Sequence, residues 1–311
     1  AYPVSVIRAC EQVLLDAQTA PDQLMRQAAH AVAVAAQAMV AKMDDPRVLL
    51  LVGAGGNGGD ALYAGAELAA EHPVDAVLLG RDGRVHERAR AAFEAAGGTV
   101  LGGLPDPARA DLIVDGVLGI GGAGGLDPEL GAWLGRTRAA VLAVDVPSGV
   151  TADTGELPEH HVTADVTVTF GGLRYAHAVS HTCGEVLLAD IGNEAGDLGA
   201  ALRAEAEPVP ALRSREPVRS WPAPLLPLAT VPSSGSLEPG AGDDKYSGGV
   251  VGLCAGSGTY PGAGLLTTLG AVRATSSMVR YVGPLGGDVV HAVPEVVISG
   301  TVAETGRVQA W

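Results

Sequence analysis

Lysine is almost missing from this chain. Lys42 and Lys245 are the only two among 311 residues, while arginine is common. GC-rich coding produces that bias, and no function is read from it. Positive charge is short overall: 20 Lys and Arg stand against 35 Asp and Glu, for a net charge of −15. General binding to nucleic acid or to an anionic membrane is not expected, because phosphates need a basic surface. A small phosphate-bearing ligand stays compatible, since loop amides and a few arginines can hold it locally. Cysteine is scarce too. Cys10, Cys183 and Cys254 are odd in number, far apart and in no Cys-x-x-Cys pair. That fits a reducing, cytoplasmic setting without structural zinc. The most apolar helical stretch, Ala28 to Val40, contains His30 and Gln37 and is too short to span a bilayer. It also lies too far in, behind another helix, for a secretory signal.

What the chain does have is glycine and apolar runs. Glycine numbers 44 and apolar residues make up 47% of a length that suits two domains. Alternating strand and helix patterns point to an α/β architecture. The stretch that organises the rest is Gly53 to Asp60. Before it, Val48 to Val52 is unbroken apolar sequence, the pattern of a strand covered on both faces. After it, Asp60 to Glu71 has helical composition. Strand, glycine loop and helix aim backbone amides and the positive helix end at an anion. Gly53, Gly55 and Gly58 match G-x-G-x-x-G, a pattern that a tight turn binding nothing also satisfies. Asn57 and Asp60 do not belong to a plain phosphate cradle and suggest further polar chemistry in the loop.

In order along the chain, Ser5 is expected to cap a first helix with Val6, Cys10, Val13, Leu14 and Ala17 on one face. Thr19-Ala-Pro-Asp22 resembles a capping box opening a second helix to about Met43. Further strands are read at Val74–Leu79, Thr99–Leu101, Asp111–Asp115, Ala140–Asp145, Ala164–Phe170 and Glu185–Asp190, with helices near Val85–Ala96 and Pro128–Arg138. A second glycine loop runs from Gly116 to Gly125. Three strands thus end in polar loops: Asn57 with Asp60, Asp115, and Asp145 with Ser148. In an open parallel sheet those ends share one edge, where ligands bind. A single strand-end Asp can be a helix cap; three beside two glycine loops are hard to explain by capping. His177 and His181 are four apart, but no carboxylate or second cysteine joins them at ligand spacing, so a metal site is not expected there.

From about Glu194 the patterning fails. Eight of the twenty prolines fall between Pro208 and Pro239, the mark of a linker. A new α/β pattern begins at Asp243: a strand at Val250–Ala255, a loop at Gly256-Ser-Gly258, a helix at Pro261–Ala274 and a strand at Met278–Val282. This reads as the opening of a second α/β domain. The expected division is 1–200, a linker 201–242, and 243–311.

Gly53–Asp60, the Asp115-Gly-Val-Leu-Gly119 turn and Val144-Asp145-Val-Pro-Ser148-Gly-Val-Thr-Ala-Asp153-Thr-Gly155 resemble the three signatures of the NAD(P)H-hydrate epimerases over about residues 1–195. Lys245-Tyr-Ser-Gly-Gly-Val-Val-Gly-Leu-Cys-Ala-Gly-Ser257, Tyr260-Pro-Gly-Ala263 and Met278-Val-Arg-Tyr281 are similar to the start of the ADP-dependent NAD(P)H-hydrate dehydratases. Together they look like the fused nicotinamide-nucleotide repair enzymes of actinobacteria. The resemblance implies a Rossmann-like, doubly wound, mostly parallel sheet followed by the N-terminal portion of a ribokinase-like domain. It implies Asn57, Asp115 and Ser148 as potassium ligands. It implies Gly56, Asn57, Gly58, Gly59 and Asp60, then Gly119, Ile120, Gly121, Gly122, Ala123, Gly124 and Gly125, then Asp145 as contacts of the hydrated dinucleotide (NADHX or NADPHX). Ala263 matches a hydrate-binding position of the dehydratase. ADP or ATP with Mg2+ would serve that second half. Its nucleotide-binding and catalytic motifs would lie beyond Trp311, so dehydration is expected only of a longer chain. A homo-oligomer is expected.

Two departures from the family pattern matter. Gly56 stands where an Asn is usual, which removes a side-chain hydrogen bond to substrate, and Ile120 stands where an aromatic is common. Strand-end placement joined to the resemblance makes Asp145, with Asp60 as partner, the expected acid–base pair. Other readings stay open from the residues alone. A nicotinamide-dependent oxidoreductase would want an acid at the end of the second strand, where Leu79-Gly-Arg81-Asp82 offers a poor one. A non-catalytic scaffold would not need Asn57, Asp115, Asp145 and Ser148 together. A sugar-kinase-like activity would have to come from the C-terminal piece.

Overall fold

The computed structural model describes residues 1–80, 83–120, 124–207, 221–227, 244–274, 278–302 and 308. It divides into two units, one of Ala1–Arg213 with Pro217–Ala229, the other of Ser214–Glu216 with Thr230–Trp311. The expected substrate contacts Gly121, Gly122 and Ala123 lie outside the described residues.

The first unit opens with two helices, α1 (Val4–Asp16) and α2 (Gln23–Val40). Then β1 (Val48–Val52), α3 (Gly56–Leu68), β2 (Val74–Leu78), α4 (Glu87–Ala95) and β3 (Thr99–Leu101) follow. The chain continues through β4 (Leu112–Gly116), α5 (Pro128–Leu134), β5 (Ala140–Val144), β6 (Val166–Phe170), α6 (Tyr175–Val179) and β7 (Glu185–Ala189). A small antiparallel ribbon of β8 (Gly192–Asn193) and β9 (Gly196–Asp197) leads into α7 (Leu198–Glu205), and β10 (Leu226–Pro227) comes last. The strands order as β10-β7-β6-β5-β4-β1-β2-β3. Every pair is parallel except β10 on β7. The fold is therefore α/β and doubly wound, with the order reversing where β1 lies between β2 and β4.

The apolar run of β1 is buried at all five positions because helices cover both faces. Val48, Leu50 and Val52 pack into the core shared with α2 and α3, while Leu49 and Leu51 join Ile113, Leu130 and Trp133 on the other face. Gly65 lets α3 settle onto the sheet, since a Cβ there would overlap the Leu50 side chain. Leu50 is fully buried, so truncating it to Ala would cost about 2–5 kcal/mol.

Several local expectations change. Pro3, not Ser5, precedes α1, and the free Val4 N–H is taken by Asp153 Oδ1 at 2.8 Å. The buried face of α1 is Val4, Ile7, Cys10 and Leu14, leaving Val13 65% exposed. Asp22 does not cap α2 with its side chain. It sits in the left-handed region at φ 59° and its carboxylate turns to Arg88 and Tyr63. Gln18 Oε1 accepts from Leu24 N instead. β10 extends the main sheet from within the proline-rich stretch. All three cysteines are free, with Cys10 and Cys183 buried. Among the described residues no helix is long and apolar enough to cross a membrane.

In the second unit, β11 (Val250–Cys254), β12 (Met278–Val282) and β13 (Val297–Ile298) form a parallel sheet in chain order, with α8 (Pro261–Ala274) and α9 (Gly286–Ala292) as crossovers. Tyr281 is fully buried, and its hydroxyl donates to Ala255 O at 2.7 Å.

Candidate active site

The loops after β1 and β4 meet at the point where the strand order reverses, and glycine allows it. A Cβ at Gly53 would overlap the carbonyl of Val117, and one at Gly119 would overlap the Asn57 side chain. Gly58 packs against the backbone of Gly53 with no room for a Cβ. Gly55 and Gly56 are different, because a Cβ on either would meet nothing within 4 Å among the described residues. They face the open side. Among the described residues no side chain caps the start of α3, and no acid lies in its first turn, so the helix end is suited to an anion.

Below this loop lies a knot of oxygens. Asn57 Nδ2 donates to Val144 O at 2.6 Å and to Leu118 O at 3.4 Å. Ser148 Oγ lies 2.6 Å from Asp115 Oδ1 and 3.2 Å from Leu118 O, and it accepts from Leu118 N at 2.8 Å. Ser148 N donates to Asp115 Oδ2 at 2.8 Å and Val117 N to Oδ1 at 3.2 Å. The structure thus brings Asn57, Asp115 and Ser148 together around Leu118. Asp115 is fully buried, and none of the ion pairs among the described residues includes it. Burial raises its pKa to about 6, against the hydrogen bonds from Ser148 and Val117 that favour its charge. A buried carboxylate amid a hydroxyl, a carboxamide and two carbonyls, with no cationic partner, is a donor set that fits a hard monovalent cation.

The loop after β5 supplies Asp145, 4% exposed and held at φ 66°. That backbone is fixed on both sides. Asp145 N donates to Val168 O at 2.7 Å, and His177 Nε2 lies 2.7 Å from Asp145 O. Arg174 N donates to His177 Nδ1 at 3.1 Å, which leaves the Nε2 proton for Asp145. Left-handed backbone away from glycine is costly and persists where its surroundings over-determine it. The side chain is fixed as well: Oδ1 accepts from Thr169 Oγ1 at 3.0 Å and from Arg174 Nη2 at 2.8 Å. Arg174 is 2% exposed. Its Nη1 donates to the carbonyls of Phe170 and Gly172, and its Nε is buried with no hydrogen-bond partner among the described residues.

Two further carboxyls join. Asp60, on α3, is buried, and its pKa is held well above the usual carboxylate range, first by burial and then by the charges of Asp145 and Glu11. Glu11, half-buried on α1, is raised by burial and by Asp145, with Arg174 and Arg8 pulling the other way. Glu11, Asp60, Asp145 and Arg174 border one cavity of about 570 Å³, a size ordinary for small-molecule sites.

Of the residues picked out in the sequence, Gly56, Asn57, Asp60, Gly119, Ile120 and Asp145 line this cavity. Asp115 and Ser148 lie behind Asn57. Gly58 and Gly59 are buried in α3, Gly59 against Met25. Gly125 packs near His160 and Pro158, and Gly124 is exposed at φ 89°. Ala263 is exposed in α8 of the second unit. His181 is exposed while His177 is buried beneath Asp145, so the two do not form a pair. Sequence reasoning missed Arg174, Thr169, His177 and Glu11. Arg174 follows the end of β6 as Asp145 follows β5, and that position was its signal. Glu11 had none.

Known proteins bear on this arrangement. The family model described as the YjeF-related protein N-terminus matches residues 21–176. A Corynebacterium glutamicum protein named bifunctional NAD(P)H-hydrate repair enzyme Nnr is 46% identical, over 100% of this chain and 62% of its own length. A Mycobacterium tuberculosis protein of the same name is 42% identical, over 100% of this chain and 61% of its own. The chain thus spans about three-fifths of these relatives. A Microbacterium testaceum protein named NAD(P)H-hydrate epimerase is 42% identical, over 62% of this chain and 79% of that protein. The crystal structure of yeast ynu0 shares the fold, with a TM-score of 0.52 at 17% identity, over 60% of this chain and 86% of that one. From strand order, convergent loops and these matches together, the chain belongs to the YjeF-related N-terminal domain family, whose members include the NAD(P)H-hydrate epimerases.

Proposed function

We propose that this protein is an NAD(P)H-hydrate epimerase, interconverting the R and S forms of hydrated NADH and NADPH. The observation that carries the reading is the pairing of unlike carboxyls in one cavity: Asp145 is bound to a buried arginine, while Asp60 holds its proton more tightly than an ordinary aspartate. A buried carboxyl that keeps its proton is suited to act as the acid, and a carboxylate held by an arginine is placed to act as the base. The names of the relatives supply the substrate class, and the uncapped start of α3 suits its pyrophosphate.

The hydrated ring carries its hydroxyl on a carbon next to the ring nitrogen, a hemiaminal. Asp145 takes the hydroxyl proton as the carbon–oxygen double bond forms and the carbon–nitrogen bond breaks. The electron pair goes to nitrogen, which takes a proton from Asp60. Rotation of the freed aldehyde lets nitrogen attack its other face and return its proton to Asp60, while the new alkoxide is protonated to give the opposite epimer. Asn57, Asp115 and Ser148, with the carbonyls of Leu118 and Val144, would hold potassium. When bound it neutralises Asp115 and ties the loops after β1, β4 and β5 together. The three free cysteines support a reducing, cytoplasmic setting. ADP-dependent dehydration is a proposal for the longer protein that the repair-enzyme relatives represent.

Chiral separation of the two hydrate epimers tests the reading. One purified epimer incubated with the protein is expected to reach the equilibrium mixture well ahead of a protein-free control. Equal rates would overturn the assignment.

A further inference from the structure

We propose that Glu11 is a third proton-transfer group of this site, serving the ring face that Asp145 does not reach. The inference rests on the epimerase reading. Its starting point is a demand of the reaction: the two epimers carry their hydroxyls on opposite faces of one ring. A single fixed carboxylate at Asp145 cannot stand within hydrogen-bond distance of both positions, and Asp145 is fixed, by Arg174, Thr169 and its own backbone.

The structure supplies a carboxyl from a different wall. α1 lies across the strand-end loops and is tied to them at three points. Tyr2 N donates to Leu173 O at 2.7 Å, Val4 N to Asp153 Oδ1 at 2.8 Å, and Arg8 Nη2 to Ile120 O at 3.4 Å. This lays Glu11 along the cavity, on the helix side, whereas Asp145 enters from the sheet edge. The groups that face Glu11 are Asp60, Asp145, Arg174 and Arg8. A structural role would have Glu11 paired with one of the arginines. Instead its carboxyl makes no hydrogen bond or ion pair among the described residues. Arg174, which also lines the cavity, keeps its Nη2 on Asp145. A carboxyl left unmatched at the cavity wall is placed to meet a polar ligand there.

The proton count closes. From the epimer whose hydroxyl faces the sheet edge, Asp145 takes that proton and Asp60 protonates nitrogen as the ring opens. After rotation, nitrogen attacks the aldehyde and returns its proton to Asp60, while the new alkoxide takes one from Glu11. One proton has passed from Glu11 to Asp145, and exchange with solvent through half-buried Glu11 restores the starting state. The opposite epimer uses the same groups in reverse. Burial, which raises the pKa of Glu11, favours the protonated form this cycle needs.

The test compares wild type, Glu11→Gln and Glu11→Asp on each purified epimer of hydrated NADH. Glu11→Gln is expected to lower kcat on the order of 100-fold with KM and thermal midpoint close to wild type. Glu11→Asp is expected to recover at least part of that loss. Wild-type kcat in Glu11→Gln, a loss confined to KM, or no recovery with Asp would overturn the assignment while leaving the epimerase reading intact. A wild-type protein no faster than the spontaneous reaction would instead overturn the reading itself, and the role of Glu11 with it.

Discussion

Arg174 Nη2 lies 2.8 Å from Asp145 Oδ1, and neither side chain is more than 6% exposed. Breaking a buried pair from one side strands the other charge, which is more damaging than losing the pair. Arg174→Met is therefore expected to lose about 3–5 kcal/mol in urea unfolding. Adding Asp145→Asn to that variant is expected to recover part of the loss, because the stranded carboxylate is then gone. Additive losses would mean that the two side chains are not energetically coupled.

Asp145→Asn alone tests the chemistry through the split between kcat and KM. Asparagine tolerates the left-handed backbone that Asp145 adopts at φ 66°, and its oxygen can still accept from Thr169 and Arg174. The fold is expected to survive with a lowered midpoint, because the buried Arg174 charge loses its counter-ion. Epimerisation is expected to fall by about 10²-fold or more, in kcat rather than KM. An Asn variant turning over at the wild-type rate would remove Asp145 from the proposed mechanism.

Potassium gives a readout that needs no substrate. A cation bound among Asn57, Asp115 and Ser148 stabilises the folded state by mass action, about 2.7 kcal/mol at one hundred times its dissociation constant. Thermal melts in potassium chloride are expected to lie above those in tetramethylammonium chloride at equal ionic strength. Asp115→Asn and Ser148→Ala are expected to abolish the difference. Identical wild-type melts in the two salts would refute the cation site.

The parts of this site legible in the sequence were those encoded locally. The run Val48–Val52 is buried throughout, and the strand ends at Asn57, Asp115 and Asp145 converge because a parallel sheet puts its carboxyl ends on one edge. Other parts depend on tertiary packing that no short window carries. Glu11 lies on an ordinary amphipathic helix and enters the site only because Val4 and Arg8 tie that helix across the loops. The helix phase failed for a similar reason: Ile7 rather than Val13 faces inward once Pro3 sets the start. Pro227 sits in a stretch that reads as linker, yet β10 pairs at the sheet margin, where a missing N–H is tolerated.

Asp22 offers a pH test remote from the reacting groups. Arg88 first, with Tyr63 and His86 assisting, lowers its pKa to about 2 from an ordinary 3.8. A carboxylate depressed in the folded state adds stability above its unfolded pKa and loses it as pH falls through the folded one. The stability difference between wild type and Asp22→Asn is thus expected to be full above about pH 4 and to shrink toward pH 2. Urea midpoints across that range measure it. A difference independent of pH would mean that the native ion pair does not hold Asp22 in its charged form.

The glycines of the first loop divide by what lies beyond them. A Cβ on Gly58 would run into the backbone of Gly53, which cannot move without dragging the end of β1. A Cβ on Gly56 would enter open space at the cavity, on a residue already helical. Gly58→Ala is therefore expected to destabilise by about 1–3 kcal/mol or to fail to fold. Gly56→Ala is expected to keep the wild-type melt and to act only through the ligand, raising KM for the hydrated dinucleotide because a methyl group now stands before the first-turn amides. Paired melts and Michaelis curves separate the two effects. If Gly56→Ala lost stability as Gly58→Ala does, the open wall assigned to the ligand would be a packed one. If its KM stayed at the wild-type value, the substrate would have to approach from another side of the cavity.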